Sequence, residues 1–261
     1  WASVSSAWAA PFSPSSVTGL ELWLDANASL NSGTPSNGSS VALWVDRSGQ
    51  GRDASQATSS NQPVFVSDNG IGSSMPAIRF DGSNDSMSFT QFLPRSAFIV
   101  NKTTGGAHSL AGILGKFPNG TGIRRSNAVD GWHHPGDGNV FTNPVGSGFF
   151  VNGTSGNLVN KHVWHIMSAI RSTASTVEFN TLGKAYAGRE WAGDIAEVLI
   201  YDSTLGESDR QKIEGYLAHK WGMVPTLPSN HPYLSSLPST NAAPTGAVTI
   251  SGTATQHQTL T

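Results

Sequence analysis

Between Arg124 and Asn139 the chain gathers Arg124, Arg125, Asp130, Trp132, His133, His134, Asp137 and Asn139 within sixteen positions. A pyranose presents an apolar face that an aromatic ring can cover, and a rim of hydroxyls that guanidinium, carboxylate and amide groups can bind. With Trp132 as the stacking platform, this stretch is a candidate sugar-binding loop. The alternative has Trp132 pinning the loop to the body of the domain while its polar neighbours satisfy loop backbone. His133 and His134 make a poor metal pair, because neighbours on an extended chain face apart.

Glycoside hydrolysis needs two carboxyl groups flanking one bond, about 5 Å apart in the retaining case. The nearest candidates are Asp194 and Glu197, and an odd spacing on a strand sends two side chains to opposite faces. Glu197 is expected instead to make a structural hydrogen bond or ion pair against a covering helix. Ser, His and Asp are present without a nucleophile-elbow signature, so no triad is indicated. For a cation, Asp81, Asn84 and Asp85 in FDGSND offer clustered hard oxygens of the kind calcium takes. The competing reading is an Asx-type turn in a hairpin. Asp25 and Asp46 each follow a strand containing Trp and read as turn-forming acceptors, and His165 in VWHIM reads as a hydrogen-bonded core histidine. Trp23, Trp44, Trp164, Trp191 and Trp221 sit inside regular elements and are assigned to the core.

The elements that would position these groups are almost all strands. Ile195 to Tyr201 is apolar and β-favouring at nearly every position, which predicts a central strand buried on both faces. Around it fall LELWLDA, VALWVDRSGQGRD, PVFV, PAIRFDGSND, SMSF, AFIVN, GILGKF, GIRRS, FFVNG, HVWHIMSAIRS, STVEFN and KAYAG, broken by Gly and Asn turns. That spacing argues an antiparallel sandwich rather than βαβ units. One helix is predicted up to Gly222, with Ser208 and Gln211 as a capping box and Leu205 as its staple. Ile213, Leu217 and Trp221 form its apolar stripe, with Arg210 and Glu214 largely off it. Beyond the helix, PTLPSNHPYLSSLPS should lie extended over the body, tethered by Tyr233 and Leu234.

Composition bounds the partners. Of 261 residues only 12% are charged, with a net charge of -2 and no basic run, which leaves no electrostatic footprint for nucleic acid. No apolar run approaches the ~20 residues of a membrane span. With no cysteine there are no disulfides or thiolate metal sites, so stability must come from the core. The chain opens at Trp1 without a signal-like segment, as expected if a leader was removed or if this is a piece of something longer.

LELWLDA, VALWVDRSGQGRDA, PAIRFDGSNDSM and GDIAEVLIYDSTLGESDRQKIEGYLAHKWG, taken in this order, resemble the laminin-G-like, concanavalin A-like jelly-roll domains of large bacterial surface and secreted proteins. The likeness spans Leu20 to Tyr233. It implies an all-β, two-sheet antiparallel jelly-roll sandwich with one C-terminal helix packed on a sheet. In such relatives the concave face and rim loops often bind glycans and in some hydrolyse them. The ExDxxE-like acid pattern of the hydrolases is absent. Relatives often hold calcium through an acid on the last central strand, and here that slot is Ala196, with Asp194 as the substitute on the same strand. The terminal NAAPTGAVTISGTATQHQTLT resembles the opening of an immunoglobulin-like repeat of adhesins and RTX-type proteins. The expected plan is an arm at 1–16, a jelly roll at 17–238, and a linker with the start of a further repeat at 239–261. The expected function is a non-catalytic carbohydrate-binding module of an exported bacterial protein, at the cell surface or outside the cell, with glycans and neighbouring repeats as partners and structural calcium as a candidate ligand. The rivals are a polysaccharide hydrolase or lyase, and an inert spacer.

Overall fold

The structure, a computed structural model, describes residues 11–28, 30, 33, 35–68, 70, 75–104, 110–118, 121–125, 132–133, 148–156, 159–171 and 177–239, with Arg125, Trp132 and His133 described through their backbone. The strands are β1 (Leu20–Asp25), β2 (Leu43–Trp44), β3 (Ala54–Ser55), β4 (Val64–Val66), β5 (Ala77–Asp81), β6 (Met87–Phe92), β7 (Ser96–Thr103) and β8 (Gly112–Lys116). They continue with β9 (Thr121–Arg125), β10 (Trp132–His133), β11 (Phe149–Val151), β12 (Thr154–Ser155), β13 (His165–Ile170), β14 (Phe179–Leu182) and β15 (Ala192–Tyr201), followed by the helix α1 (Glu207–Lys220). The molecule is an all-β sandwich of two antiparallel sheets, with one α-helix among the described residues. One sheet runs β12-β11-β13-β7-β15-β5-β4, with β1 also on β15, and the other runs β10-β9-β8-β14-β6-β3-β2.

β15 is the axis of the first sheet. All ten of its residues are buried, as its continuous apolar run predicts. Ala192 to Ile195 pair with β5 and Glu197 to Tyr201 pair with β1, while β7 runs along the whole opposite side. The change of partner falls at Ala196, where the register against β7 slips by one residue. Its carbonyl there accepts a bond from the Ala26 N–H at 2.9 Å. Ile78, Phe80, Ile99 and Val198 from this sheet join Met87, Leu114, Ile123 and Leu182 from the other in a core that leaves each of them at most 1% exposed. Each such side chain contributes about 1.5–3 kcal/mol. The five tryptophans assigned to the core are all buried.

Three local expectations are corrected. The N-cap is Gly206, without a side-chain cap bond. Ser208 therefore lies inside the first turn, and Gln211 Nε2 bonds Glu207 Oε1 at 3.2 Å instead of closing a capping box. Glu207 and Asp209 oppose the positive end of the helix in place of a cap. Arg210 and Glu214 do not leave the buried stripe. They lie in it with Ile213, Leu217, Ala218 and Trp221, because each neutralises the other. Finally, KAYAG forms no strand. It belongs to a crossing segment at 183–191, closed by the Trp191 N–H to Gly183 carbonyl bond at 2.8 Å.

Past the helix the chain folds back on α1. His219 Nε2 lies 2.8 Å from the Tyr233 carbonyl, and Leu234 packs against the core. A Cβ at Gly215 would come within 2.6 Å of the Tyr233 Cβ, so this mid-helix glycine is what lets the returning segment lie flat. At the other end Phe12 packs on the Tyr216 ring and Tyr201 Oη donates to the Pro14 carbonyl.

Candidate functional site

The outer faces of the two sheets differ in what covers them. On the first sheet, the slip at Ala196 turns Glu197 to the same side as Asp194. Asp194 is in register with Lys102 and Glu197 with Val100, two residues apart on β7 and so on one face. The expectation that the two acids face apart is thereby corrected, since it assumed an unbroken period of two. Their proximity does not make a catalytic pair. Asp194 is fully buried and takes Arg79 Nε at 2.6 Å, Arg79 Nη2 at 3.0 Å and Lys102 Nζ at 3.0 Å.

Glu197 is the hub of the helix contact. Its Oε1 accepts Trp23 Nε1 at 2.7 Å and Tyr216 Oη at 3.2 Å, and its Oε2 accepts Trp221 Nε1 at 2.6 Å and Lys220 Nζ at 2.7 Å. Lys220 also reaches Asp25 Oδ2 at 2.7 Å, where Arg47 Nη1 binds at 2.6 Å. Burial pushes the Glu197 carboxyl above its ordinary range and Asp25 adds to the rise, while Lys220 and Trp221 oppose it. The structural role expected of Glu197 is the one observed. A second buried cluster lies further along α1. Arg210 Nη1 binds both oxygens of Glu214 at 2.9 and 2.7 Å, Ser168 Oγ donates to Oε1 at 2.7 Å, and Arg210 stacks on Phe150 at 3.8 Å.

The second sheet turns a different surface outward. Ser55 is in register with Ser88, Ser88 with Thr181, Thr181 with Gly115 and Gly115 with Gly122. These small residues form one row across five strands. At the β3 and β6 end Ser55, Ser88 and Thr90 are exposed. At the other end the 183–191 segment crosses the face, with Ala185 close enough that a Cβ on Gly115 would meet its methyl at 3.0 Å. The tip of that segment carries Tyr186, 48% exposed, with the Arg189 guanidinium 5.3 Å from its ring centroid. Lys184 Nζ lies 4.5 Å from the Phe117 ring, and Lys116 bonds Gln91 and lies 3.3 Å from Glu178.

The predicted sugar-binding residues meet this face at its edge. Arg124 is buried on β9 and in register with Gly112, which itself abuts Ala185. β10 lies alongside, with Trp132 in register with Arg125 and His133 with Arg124. Asp130, His134, Asp137 and Asn139 lie outside the described residues. Tyr186 and Arg189 escaped the sequence reading because KAYAG looks like a strand, although an exposed tyrosine between two glycine-bearing turns was the available signal.

The acids among the calcium candidates are engaged by donors of the protein itself. Asp81 Oδ1 accepts the N–H groups of Ser83, Asn84 and Asp85 at 2.8, 3.2 and 3.4 Å, and Asp85 Oδ2 accepts the Asp81 N–H at 2.9 Å. FDGSND is thus an Asx-type turn in which one oxygen of each carboxylate accepts backbone N–H groups, and Asp194 is held by two cations. Among the described residues no group of three His, Asp or Glu is placed to hold a metal ion. Burial, with the Asp81 charge adding, raises the Asp85 carboxyl to about 6 against the pull of its backbone bond. Asp46 is a turn organiser as expected, accepting the N–H groups of Trp23, Ser48 and Arg52. His165 is buried with Nε2 against the Asn160 backbone, and desolvation lowers its pKa.

No family model matches the chain, and no curated protein does. Among solved structures it is similar to the Trypanosoma rangeli sialidase in complex with sialic acid, at 14% identity and a TM-score of 0.42, covering 78% of this chain and 33% of that one. The chain therefore spans about a third of the sialidase. It is also similar to domain 4 of AbnA, a GH43 extracellular arabinanase from Geobacillus stearothermophilus, in complex with arabinotriose, at 12% identity and a TM-score of 0.39, covering 73% of this chain and 95% of that one.

Proposed function

We propose that the chain is a non-catalytic carbohydrate-binding module of an exported bacterial protein, concanavalin A-like in fold, and that it binds glycan on the open face of the second sheet. The observation that carries this reading is the asymmetry of the two outer faces. One is covered by α1 over Glu197 and Glu214, while the other exposes Ser55, Ser88 and Thr90 at one end and Tyr186 on the segment that crosses its other end. An exposed polar strip together with one aromatic platform suits a sugar chain. The non-catalytic part is supported by the fate of the acid pair. Asp194 and Glu197 are 0% and 1% exposed and fully engaged, so a substrate has no route to them. Glycans, and neighbouring repeats of the same polypeptide, are the partners this reading names.

The test is a panel of immobilised neutral and anionic polysaccharides, read for both retention and product release. The expected result is retention without release, lost in Tyr186→Ala at unchanged melting temperature. Release of sugar or unsaturated products would replace this reading with a hydrolase or lyase. Retention on nothing in the panel would leave a spacer domain.

A further inference from the structure

Most cations on the helix-covered side are matched to carboxylates: Arg47 to Asp25, Arg52 to Glu21, Arg79 and Lys102 to Asp194, Arg210 to Glu214, and Lys220 to Asp25 and Glu197. The crossing segment on the open face breaks that pattern. Among the described residues, Lys184 and Arg189 have an aromatic ring as their side-chain partner and no acid. The acids near them are already placed elsewhere. Glu178 lies with Lys116, and Glu190 is buried with Oε1 accepting the Gly188 N–H at 3.3 Å.

Resting on the carbohydrate-binding reading, we infer that the ligand is an anionic glycan whose carboxylate or sulfate is taken by Arg189, with Lys184 further along the segment, while a sugar ring stacks on Tyr186. A guanidinium offers a planar fork that matches either group with two parallel N–H bonds. Held beside Tyr186, Arg189 is partly desolvated and oriented before the ligand arrives, which lowers the ordering cost of binding. The turn that presents the pair is fixed by the Arg189 N–H to Tyr186 carbonyl bond at 3.3 Å and by Gly188 at φ 73°. A neutral sugar would use the ring and offer the guanidinium only hydroxyl acceptors, with no charge to match its own.

The experiment measures affinity for polygalacturonate, dextran sulfate and the neutral glucan pullulan at physiological salt, with Arg189→Gln, Arg189→Lys and Lys184→Gln beside the wild type. Expected is binding to at least one anionic polymer at least about tenfold tighter than to pullulan. Arg189→Gln should weaken it by about tenfold or more and Arg189→Lys by less, because lysine keeps the charge and loses the fork. Melting temperatures should stay put, since neither side chain belongs to the core. Preference for polygalacturonate identifies a carboxylate ligand, and preference for dextran sulfate a sulfate. Equal or tighter binding to pullulan, lost in Tyr186→Ala, would overturn the anionic inference and keep the carbohydrate-binding reading. Anionic binding that survives both Arg189→Gln and Lys184→Gln would also overturn it. Binding to none of the three, nor to any polysaccharide of the wider panel, removes both.

Discussion

The two outer faces of this sandwich have similar backbones and opposite chemistry. The first carries Asp194 and Glu197 on one side of a single strand, with Asp194 held by Arg79 and Lys102 and Glu197 by Lys220 and two indole N–H groups at the helix contact. The second carries small side chains and, among the described residues, Lys184 and Arg189 with aromatic rings as their side-chain partners. The contrast teaches how to tell structural polar residues from functional ones in this fold. A buried carboxylate with its acceptors filled holds elements together, whereas an exposed ring beside a guanidinium that meets no acid among the described residues still has capacity for a partner. Variants on the first face should therefore cost stability, and variants on the second should cost binding.

The sharpest test of the sealed face is Glu197→Ala. It leaves Lys220 and two buried indole N–H groups without their shared acceptor, and removing one member of a buried charged cluster typically costs about 3–5 kcal/mol. Urea unfolding at neutral pH should show that loss. A variant less than about 1 kcal/mol weaker than the wild type would mean that the helix is held by apolar packing and that the carboxylate is incidental. Next in size is Gly215→Ala. Helix propensity alone favours alanine by about 1 kcal/mol, but the new methyl would stand 2.6 Å from the Tyr233 Cβ. Overpacking of that kind costs about 1–3 kcal/mol, so net destabilisation is expected, and a stabilised variant would show that the returning segment lifts off α1 easily.

How much of this was legible in the chain differs between the faces for a physical reason. β15 is readable from Ile195 to Tyr201 because successive apolar residues there answer to one demand, burial on both sides, while its first three residues, which include Asp194, carry no such signal. The structural role of Glu197 was readable because a lone acid in such a run has to be paired. The slip at Ala196 was not readable, since a bulge arises where β5 gives way to β1 as partner, and no residue type at 196 announces it. Arg210 and Glu214 were placed outside for a similar reason. Hydrophobic periodicity treats charge as a solvent marker and does not see that an i, i+4 pair can enter the core together. On the open face the loop around Trp132 drew notice through composition, whereas Tyr186 sits in a segment whose alternation imitates a strand. Function on a crossing turn depends on exposure, which pattern alone does not report.

Asp85 gives a smaller effect with a definite pH signature. Burial pushes its carboxyl up to about 6 from the ordinary 3.8, so the folded state binds this proton more tightly than the unfolded chain does. The contribution is fully present below about pH 4, and it is lost as pH rises toward about 6. Solvent around the turn screens much of the shift, leaving about 1 kcal/mol. Asp85→Asn keeps an oxygen to accept the Asp81 N–H, so the variant should gain on the wild type by about that amount between pH 4 and pH 7. A difference between the two proteins that stays flat across this range would remove the titration from the account.

The smallest effect on stability is expected where the effect on binding is largest. Tyr186 is half exposed and Arg189 lies over one face of its ring, so truncating either removes little buried surface. Surface substitutions of this kind usually fall within about 0.5 kcal/mol. Thermal melts of Tyr186→Ala and Arg189→Gln should therefore overlay the wild type, while an aromatic platform in a small site typically carries about 1–3 kcal/mol of affinity. The contrast between the faces breaks if Tyr186→Ala melts several degrees lower. The ring would then be pinning the crossing segment over Gly112 and Gly115, as Trp221 pins the helix over Glu197, and the open face would owe its shape to structure rather than to a ligand.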